Sequence, residues 1–122
     1  DLYRDFTYID DLVEAIVRLM DAPSRDAVPF QIFNIGNSNP VRLMDFVAAL
    51  EKAFSHSLER EVVFKKNFEL IKSGDVSKTF SSSKALFEKI GFQPSTPIEV
   101  GLQKFAEWYV DYYSLRKKKN HD

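Results

Sequence analysis

Apolar and polar positions at the start of the chain predict a strand followed by a helix. Residues 2–9 are rich in tyrosine, phenylalanine, threonine and isoleucine, the composition of a strand. Residues 11–14 (DLVE) resemble a capping box that opens a helix, with aspartate in the place of serine. Pro23 predicts that this helix has ended. Its apolar face, at helical spacing, consists of Leu12, Ala15, Ile16, Leu19 and Met20.

The middle of the chain predicts a strand, a second helix and a third strand. Residues 30–35 (FQIFNI) carry apolar side chains without clean alternation, as expected of a strand buried on both faces. Residues 36–39 predict a turn, after which Asn39 would cap a helix with Pro40 at the first helical position. The apolar face of that helix consists of Leu43, Phe46, Val47, Leu50 and Phe54. Residues 61–65 (EVVFK) predict the third strand.

The last part of the chain predicts an irregular segment and two more helices. Residues 67–77 show no period, and residues 81–83 can cap a short helix that ends at Gly91. Residues 96–99 (TPIE) form another capping box, with proline at the first helical position. The face of the last helix consists of Ile98, Leu102, Phe105, Tyr109 and Tyr112. The order of elements predicts a mixed α/β fold in which a few short strands are packed by about four helices.

The composition indicates a folded domain and argues against nucleic-acid binding. The chain has 122 residues, of which 44% are hydrophobic and 14% aromatic, enough for a packed core. Seventeen basic and eighteen acidic residues balance, whereas a nucleic-acid surface is usually basic. The basic run at residues 116–119 (RKKK) is typical of a solvated segment. We therefore expect one domain over residues 1–113, a polar basic tail over 114–122, and no nucleic-acid partner.

The residue types that are absent narrow the chemistry further. Without cysteine the chain has no disulfide and no thiolate nucleophile, which fits a cytoplasmic setting. His56 and His121 lie far apart, so no zinc-ligand spacing occurs. No apolar run approaches the roughly 20 residues that span a bilayer, and no membrane partner is expected. The abrupt start without methionine suggests a part of a longer polypeptide.

Two short stretches contain candidate ligand-binding residues. Arg4 lies within a predicted strand, and its planar fork suits a phosphate or a carboxylate. Asp5 points to the opposite face, so it cannot be the partner, and pattern alone favours a structural ion pair with some other acid. Residues 72–75 (KSGD) pair a cation and an acid around a glycine, as a nucleotide site or an ordinary surface turn would. Asp10 and Asp11 are explained by capping a helix.

Four motifs in order carry a resemblance to a known family. They are RDFTYIDD at residues 4–11, IFNIGN at 32–37, GDV at 74–76, and IGFQP at 90–94 followed by Thr96-Pro97. Up to about Tyr113 the chain resembles the C-terminal part of the nucleotide-sugar epimerases of the extended short-chain dehydrogenase/reductase superfamily. The UDP-glucuronate 4-epimerases are the branch that it resembles most.

The resemblance implies a fold, a reaction and a set of binding residues. Such enzymes hold NAD in an N-terminal Rossmann domain and invert the sugar C4 through a keto intermediate, while a smaller C-terminal part binds the nucleotide-sugar. FQIFNI would be a late strand of the Rossmann sheet. Arg4 would bind the diphosphate and Lys72 the phosphates. Asp75 would contact the uridine ribose, and Thr79 would lie near the sugar. We expect the intact enzyme to be a homodimer.

The chain also departs from the family pattern. Ser77, Phe80 and Ser82 stand where the family often has proline, tyrosine and an acid, and Lys72 gives a point charge where an arginine would bind bidentately. The glycine-rich dinucleotide motif and the catalytic Tyr-x-x-x-Lys pair are missing; the match at residues 113–117 has the wrong setting. We expect the chain alone to be inactive and to hold no NAD. A dehydratase or decarboxylase on nucleotide-sugars, or a non-catalytic binding module, remains an alternative.

Overall fold

The computed structural model describes residues 1–70 and 74–115. Over these residues it contains two short strands and four helices, which confirms the mixed α/β prediction. In chain order the elements are β1 (Tyr3–Arg4), α1 (Ile9–Met20), β2 (Val41–Arg42), α2 (Leu43–Leu58), α3 (Lys84–Ile90) and α4 (Ile98–Tyr112). The chain forms two compact units, each built from two separate segments.

The first unit combines Asp1–Leu43 with Val76–Thr96 and is organised around β1. β2 pairs antiparallel with β1, so that Tyr3 lies opposite Arg42 and Arg4 opposite Val41. On the other side of β1, the Tyr3 N–H donates to the Ser77 carbonyl (2.9 Å) and the Tyr3 carbonyl accepts from the Thr79 N–H (3.1 Å). β1 therefore lies between two extended segments. The helices α1 and α3 of this unit contact each other, and each has a fully buried residue, Ala15 and Leu86 respectively.

The second unit combines Met44–Asp75 with Pro97–Asp122, and its described part is built on α2 and α4. Its core consists of Ala53, Leu102 and Ala106, against which Phe46, Ala49, Leu50, Phe54 and Ile98 pack. The two small alanines allow close packing of the helices. The Phe54 ring makes edge contacts with the rings of Phe64, Phe105 and Tyr109. The predicted apolar faces of both helices thus provide part of this core, whereas Tyr112 of the predicted α4 face is 67% exposed.

The predicted strand EVVFK is wrong, because its backbone is bound by side chains of α2 instead of by a strand. The Val62 N–H donates to the Ser55 hydroxyl (2.9 Å), and the Phe64 N–H donates to the Glu51 carboxylate (2.7 Å). Lys66 also binds Glu51, and these two contacts lower the pKa of Glu51, with the Lys66 hydrogen bond the larger cause. Side chains of a helix thus replace the hydrogen-bonding ladder that a strand needs.

The predicted strand FQIFNI is also wrong within the described residues. The segment runs without regular structure, and Phe30 and Ile32 are 72% and 78% exposed. No other described segment pairs with it, and an extended segment without a hydrogen-bonded neighbour is not a strand. The first predicted strand, residues 2–9, is also shorter in the structure. Only Tyr3 and Arg4 form the strand, because only these two residues pair with β2.

Helix starts differ from the predictions because long-range partners compete with local caps. Asp11 does not cap α1, which begins at Ile9 after Tyr8. Asn39 and Pro40 do not start α2, because the next two residues form β2. The α4 helix follows Pro97 as its N-cap residue, without a side-chain cap hydrogen bond. At the other ends, α1 stops at Met20 before Pro23, and Gly91 closes α3 in the left-handed conformation (φ 66°), as predicted.

Candidate functional site

Arg4 lies in β1 as predicted, and the structure gives its guanidinium little to bind. One Nη1 hydrogen bond goes to the carbonyl of the preceding Tyr3 (2.8 Å). No carboxylate of the described residues lies within ion-pair distance of it. The structural ion pair that pattern alone favours is therefore not found in residues 1–70 and 74–115. A half-buried arginine with several unused N–H donors is suited to an anionic ligand.

Strand pairing brings Thr79 to the same side of β1 as Arg4. Tyr3 bridges Lys78 in parallel register, so the next residues along, Arg4 and Thr79, share the opposite face by the alternation of extended backbone. Arg42 lies opposite Tyr3 in the ladder and belongs to the other face. The Thr79 hydroxyl oxygen accepts from the Asp5 N–H (3.0 Å), which leaves its own hydrogen free to donate. Two of the four predicted site residues are thus brought together.

Asp5, which the sequence did not mark as functional, holds two turns against β1. Its Oδ2 accepts hydrogen bonds from the N–H groups of Ser38 (3.1 Å) and Ser81 (3.0 Å), and its Oδ1 accepts from Asn39 (3.3 Å). Ser38 has a left-handed backbone (φ 57°) and donates its hydroxyl to the Ser81 carbonyl (2.7 Å). The carboxylate therefore fixes the loops that flank Arg4 and Thr79. In the sequence, the only indication of this role was the position of Asp5, which follows the strand residue Arg4 and points to the opposite face.

Gly36 is packed too closely for any other residue and does not form a phosphate-binding loop. A Cβ at this position would lie 2.4 Å from the Cβ of Ser81. The Gly36 N–H donates to the Ser83 hydroxyl (3.0 Å), which itself donates to the Gly36 carbonyl (2.6 Å). The backbone amide that an anion would use is therefore occupied by a side chain. Ser83 precedes α3, and its carbonyl accepts from the Phe87 N–H (2.9 Å), but its side chain makes no cap hydrogen bond.

Asp10 and Asp11, the acidic pair that follows RDFTYI, make hydrogen bonds within the chain. The Asp11 carboxylate accepts from the N–H groups of Ser95 (3.0 Å) and Thr96 (2.8 Å) and from the Thr96 hydroxyl (2.9 Å), so it holds the segment before α4. Burial raises the pKa of the Tyr8 hydroxyl, and a hydrogen bond to Asp10 raises it further. Both carboxylates therefore have contacts within the chain.

The remaining two predicted site residues fall in or beside the segment that is not described. Lys72 lies outside the described residues. Asp75 belongs to the second unit, is exposed, and follows Gly74, whose φ is 98°. No hydrogen bond to the Asp75 carboxylate is found from any other described residue. The roles of both remain predictions.

Other kinds of site are not found in the part of the chain that the structure describes. No three metal-ligating side chains come together in residues 1–70 and 74–115. None of the described helices is both long and apolar enough to cross a membrane.

Over nearly its whole length the chain is similar in sequence to part of several longer proteins. No family model matches the chain. It is 41% identical over 126 residues to a probable UDP-glucuronate 4-epimerase of Rhizobium meliloti, which covers 90% of the chain and 35% of that relative. It is 38% identical over 127 residues to UDP-glucuronate 4-epimerase 1 of Arabidopsis thaliana, covering 97% of the chain and 28% of the relative. The chain thus spans about a third of the length of the curated relatives it matches.

Solved structures agree in fold. The UDP-glucose 4-epimerase of Thermotoga maritima, solved with UDP-glucose, matches 92% of the chain and 33% of its own length, at a TM-score of 0.69 and 25% identity. The UDP-glucuronic acid 4-epimerase of Bacillus cereus, solved with NAD, matches 92% of the chain and 32% of its own length, at a TM-score of 0.69 and 22% identity, which supports the fold.

In sequence and fold the chain is therefore similar to the C-terminal part of nucleotide-sugar epimerases, and the resemblance seen in the motifs is confirmed. Among its relatives, those that act on UDP-glucuronate by name match nearly the whole chain.

Proposed function

We propose that the chain is the nucleotide-sugar-binding part of an NAD-dependent 4-epimerase, with a UDP-sugar as its ligand. The observation that carries the proposal is the Arg4 guanidinium. Arg4 as a residue is half-buried on a paired strand, and among the described residues its guanidinium binds only a backbone carbonyl. The class of ligand is taken from the relatives, which match nearly the whole chain and are named as UDP-glucuronate 4-epimerases. The diphosphate of a UDP-sugar suits the planar fork of an arginine.

In this proposal the four predicted residues bind different parts of the ligand. Arg4 binds the diphosphate, with the donors that the Tyr3 carbonyl leaves unused. Thr79, on the same face, donates its hydroxyl hydrogen to the sugar. Lys72 adds a second positive charge at the phosphates, and Asp75 accepts the ribose hydroxyls. An epimerase must hold the nucleotide firmly while the sugar turns, so strong contacts belong on the diphosphate and weak ones on the sugar.

The residues of this chain do not fit the cofactor. A dinucleotide needs a glycine-rich loop whose amides face its phosphates. Gly36, at the turn after IFNI, has its amide bound by Ser83 and its Cα packed against Ser81. In the proposal, NAD is bound mainly by residues other than these 122, and this chain binds and orients the substrate.

Titration of UDP-glucuronate by calorimetry, on the longer protein that contains this chain, tests the role of Arg4. Arg4→Ala removes charge-assisted hydrogen bonds, and we expect binding to weaken by about 1.5–3 kcal/mol, or roughly 10- to 150-fold.

Arg42→Ala is the matched control. It removes an arginine from the neighbouring strand, on the opposite face, where Arg42 binds Asp1 (2.8 Å). We expect its affinity to stay within about threefold of the parent, because exposed ion pairs contribute little. Equal affinities for the two variants would return Arg4 to a structural role.

A further inference from the structure

A small cavity in the second unit is lined by residues of α2 and α4. Its volume is about 170 Å³, and its apolar lining consists of Ala49 and the buried Ala53. The short alanine side chains leave this space between the helices. At roughly 30 Å³ of liquid volume per water molecule, the cavity has room for a ligand of about six non-hydrogen atoms.

The α2 side of the cavity presents hydrogen-bond donors. Lys52 and His56 are four residues apart, so they lie on the same face of the helix. The amide nitrogen of Gln103 lies 3.1 Å from Nδ1 of His56. An amide nitrogen only donates, so Nδ1 is the acceptor, and the neutral ring carries its hydrogen on Nε2. The Lys52 ammonium and the His56 Nε2–H are therefore both donors.

The α4 side of the cavity presents acceptors. Glu99 and Gln103 are also four residues apart on one helix face. The amide nitrogen of Gln103 also contacts the Ser57 hydroxyl (3.2 Å) and the Glu107 carboxylate (2.8 Å). These contacts and the one to His56 hold the amide group in a single orientation. None of the described residues donates to the amide oxygen, which is an acceptor like the Glu99 carboxylate.

The two charges that line the cavity do not pair with each other. The Lys52 ammonium and the Glu99 carboxylate form no ion pair within residues 1–70 and 74–115. A ligand with one negative and one positive group would contact both sides of the cavity at once, whereas a simple anion or cation would leave one of the two charges without a partner.

We propose that this cavity binds a small amino acid in its zwitterionic form. The ligand carboxylate accepts from Lys52 and His56, and the ligand ammonium donates to Glu99 and to the amide oxygen of Gln103. Lys52 and Glu99 are exposed, so each charge contributes modestly and the Kd is on the order of millimolar. The site is built from α2 and α4 alone and is independent of the residues assigned to the nucleotide-sugar.

β-Alanine is the probe, because its charged groups lie at opposite ends of a molecule that fits the cavity. An amide NMR titration of the 122-residue chain should shift the signals of the cavity residues and saturate in the millimolar range. Propionate lacks the ammonium and ethylamine lacks the carboxylate, and each should bind about fivefold more weakly. If propionate bound as tightly as β-alanine, the cavity would be a simple anion site and the proposal would be overturned.

Two variants assign each charge to one end of the ligand. Lys52→Met and Glu99→Gln should each raise the Kd for β-alanine about fivefold. Their selectivity should also differ. After Lys52→Met, β-alanine should bind no better than ethylamine, and after Glu99→Gln it should bind no better than propionate. A merely structural role of either residue would weaken all three ligands together and would contradict the proposal.

Lys84→Met and Glu88→Gln are the matched controls. They make the same substitutions in an exposed pair of α3 (3.8 Å), which belongs to the first unit. The Kd for β-alanine should stay within about twofold of the parent, because exposed pairs elsewhere do not touch the cavity. If the cavity variants bound β-alanine as tightly as these controls, the site would be wrong.

Discussion

Removing the Asp5 carboxylate should release the two turns that it holds against β1. Asp5→Ala leaves the N–H groups of Ser38, Asn39 and Ser81 without their acceptor. The Ser81 bond is half-buried, and a hydrogen bond to a charged acceptor there contributes about 1.5–3 kcal/mol, whereas the two exposed bonds add about 0.5 each. We expect the free energy of unfolding to fall by about 2–4 kcal/mol.

Amide hydrogen exchange gives the sharper measurement, because it reads these amides individually. In Asp5→Ala the amides of Ser38, Asn39 and Ser81 should lose protection first, while those of the core of α4 lose no more than the global destabilisation requires. Asp5→Asn should fall between the parent and the alanine variant, since one oxygen remains as acceptor.

Asp26→Ala is the control for the Asp5 variants. The Asp26 carboxylate accepts from the side chains of Ser24 and Gln31 in an exposed loop, and its removal should cost less than about 0.5 kcal/mol. If Asp5→Ala destabilised no more than Asp26→Ala, and left the three amides protected, the role given to Asp5 would be refuted.

Two further predictions concern packing and pH. Gly36→Ala places a Cβ 2.4 Å from that of Ser81, and urea unfolding should show that the free energy of unfolding falls by about 1–3 kcal/mol. Adding Ser81→Gly to the same chain should recover part of this loss. If it recovers none, the loss has another cause. The lowered pKa of Glu51 stabilises the fold above its unfolded value of 4.5, and this stabilisation is lost as pH falls through the lower folded pKa. Glu51→Gln should flatten the stability profile there, and an unchanged acid limb would show that other groups determine it.

The sequence predicted best what depends on local pattern. The large apolar residues that α2 and α4 bring to the core follow from helical spacing, and Gly91 follows from the need for a left-handed residue after α3. Strands were harder, because a strand exists only where another segment pairs with it. FQIFNI has the composition of a strand but no paired neighbour among the described residues, whereas residues 41–42 pair with β1 without a strand-like run around them.

The candidate site shows the same division. Arg4 and its separation from Asp5 could be predicted, because alternation along a strand is local. The contacts of Asp5 and Asp11 could not be predicted. Their carboxylates accept from amides that lie more than 30 residues away in sequence for Asp5 and more than 80 for Asp11. An aspartate at a helix start is an ordinary local cap, and in this chain a distant donor competes for the same oxygen atoms.

The interleaving of the two units has a consequence for how the chain reaches its fold. The two segments of each unit are separated in sequence by a segment of the other unit, so neither unit can be excised as a continuous piece. The hydrogen bond from Ser81 to Asp5 closes a loop of 76 residues. During synthesis β1 must therefore wait until most of the chain has left the ribosome before its neighbours on both sides exist. Such distant closures slow folding, and a chain cut after Asp75 would leave both units incomplete.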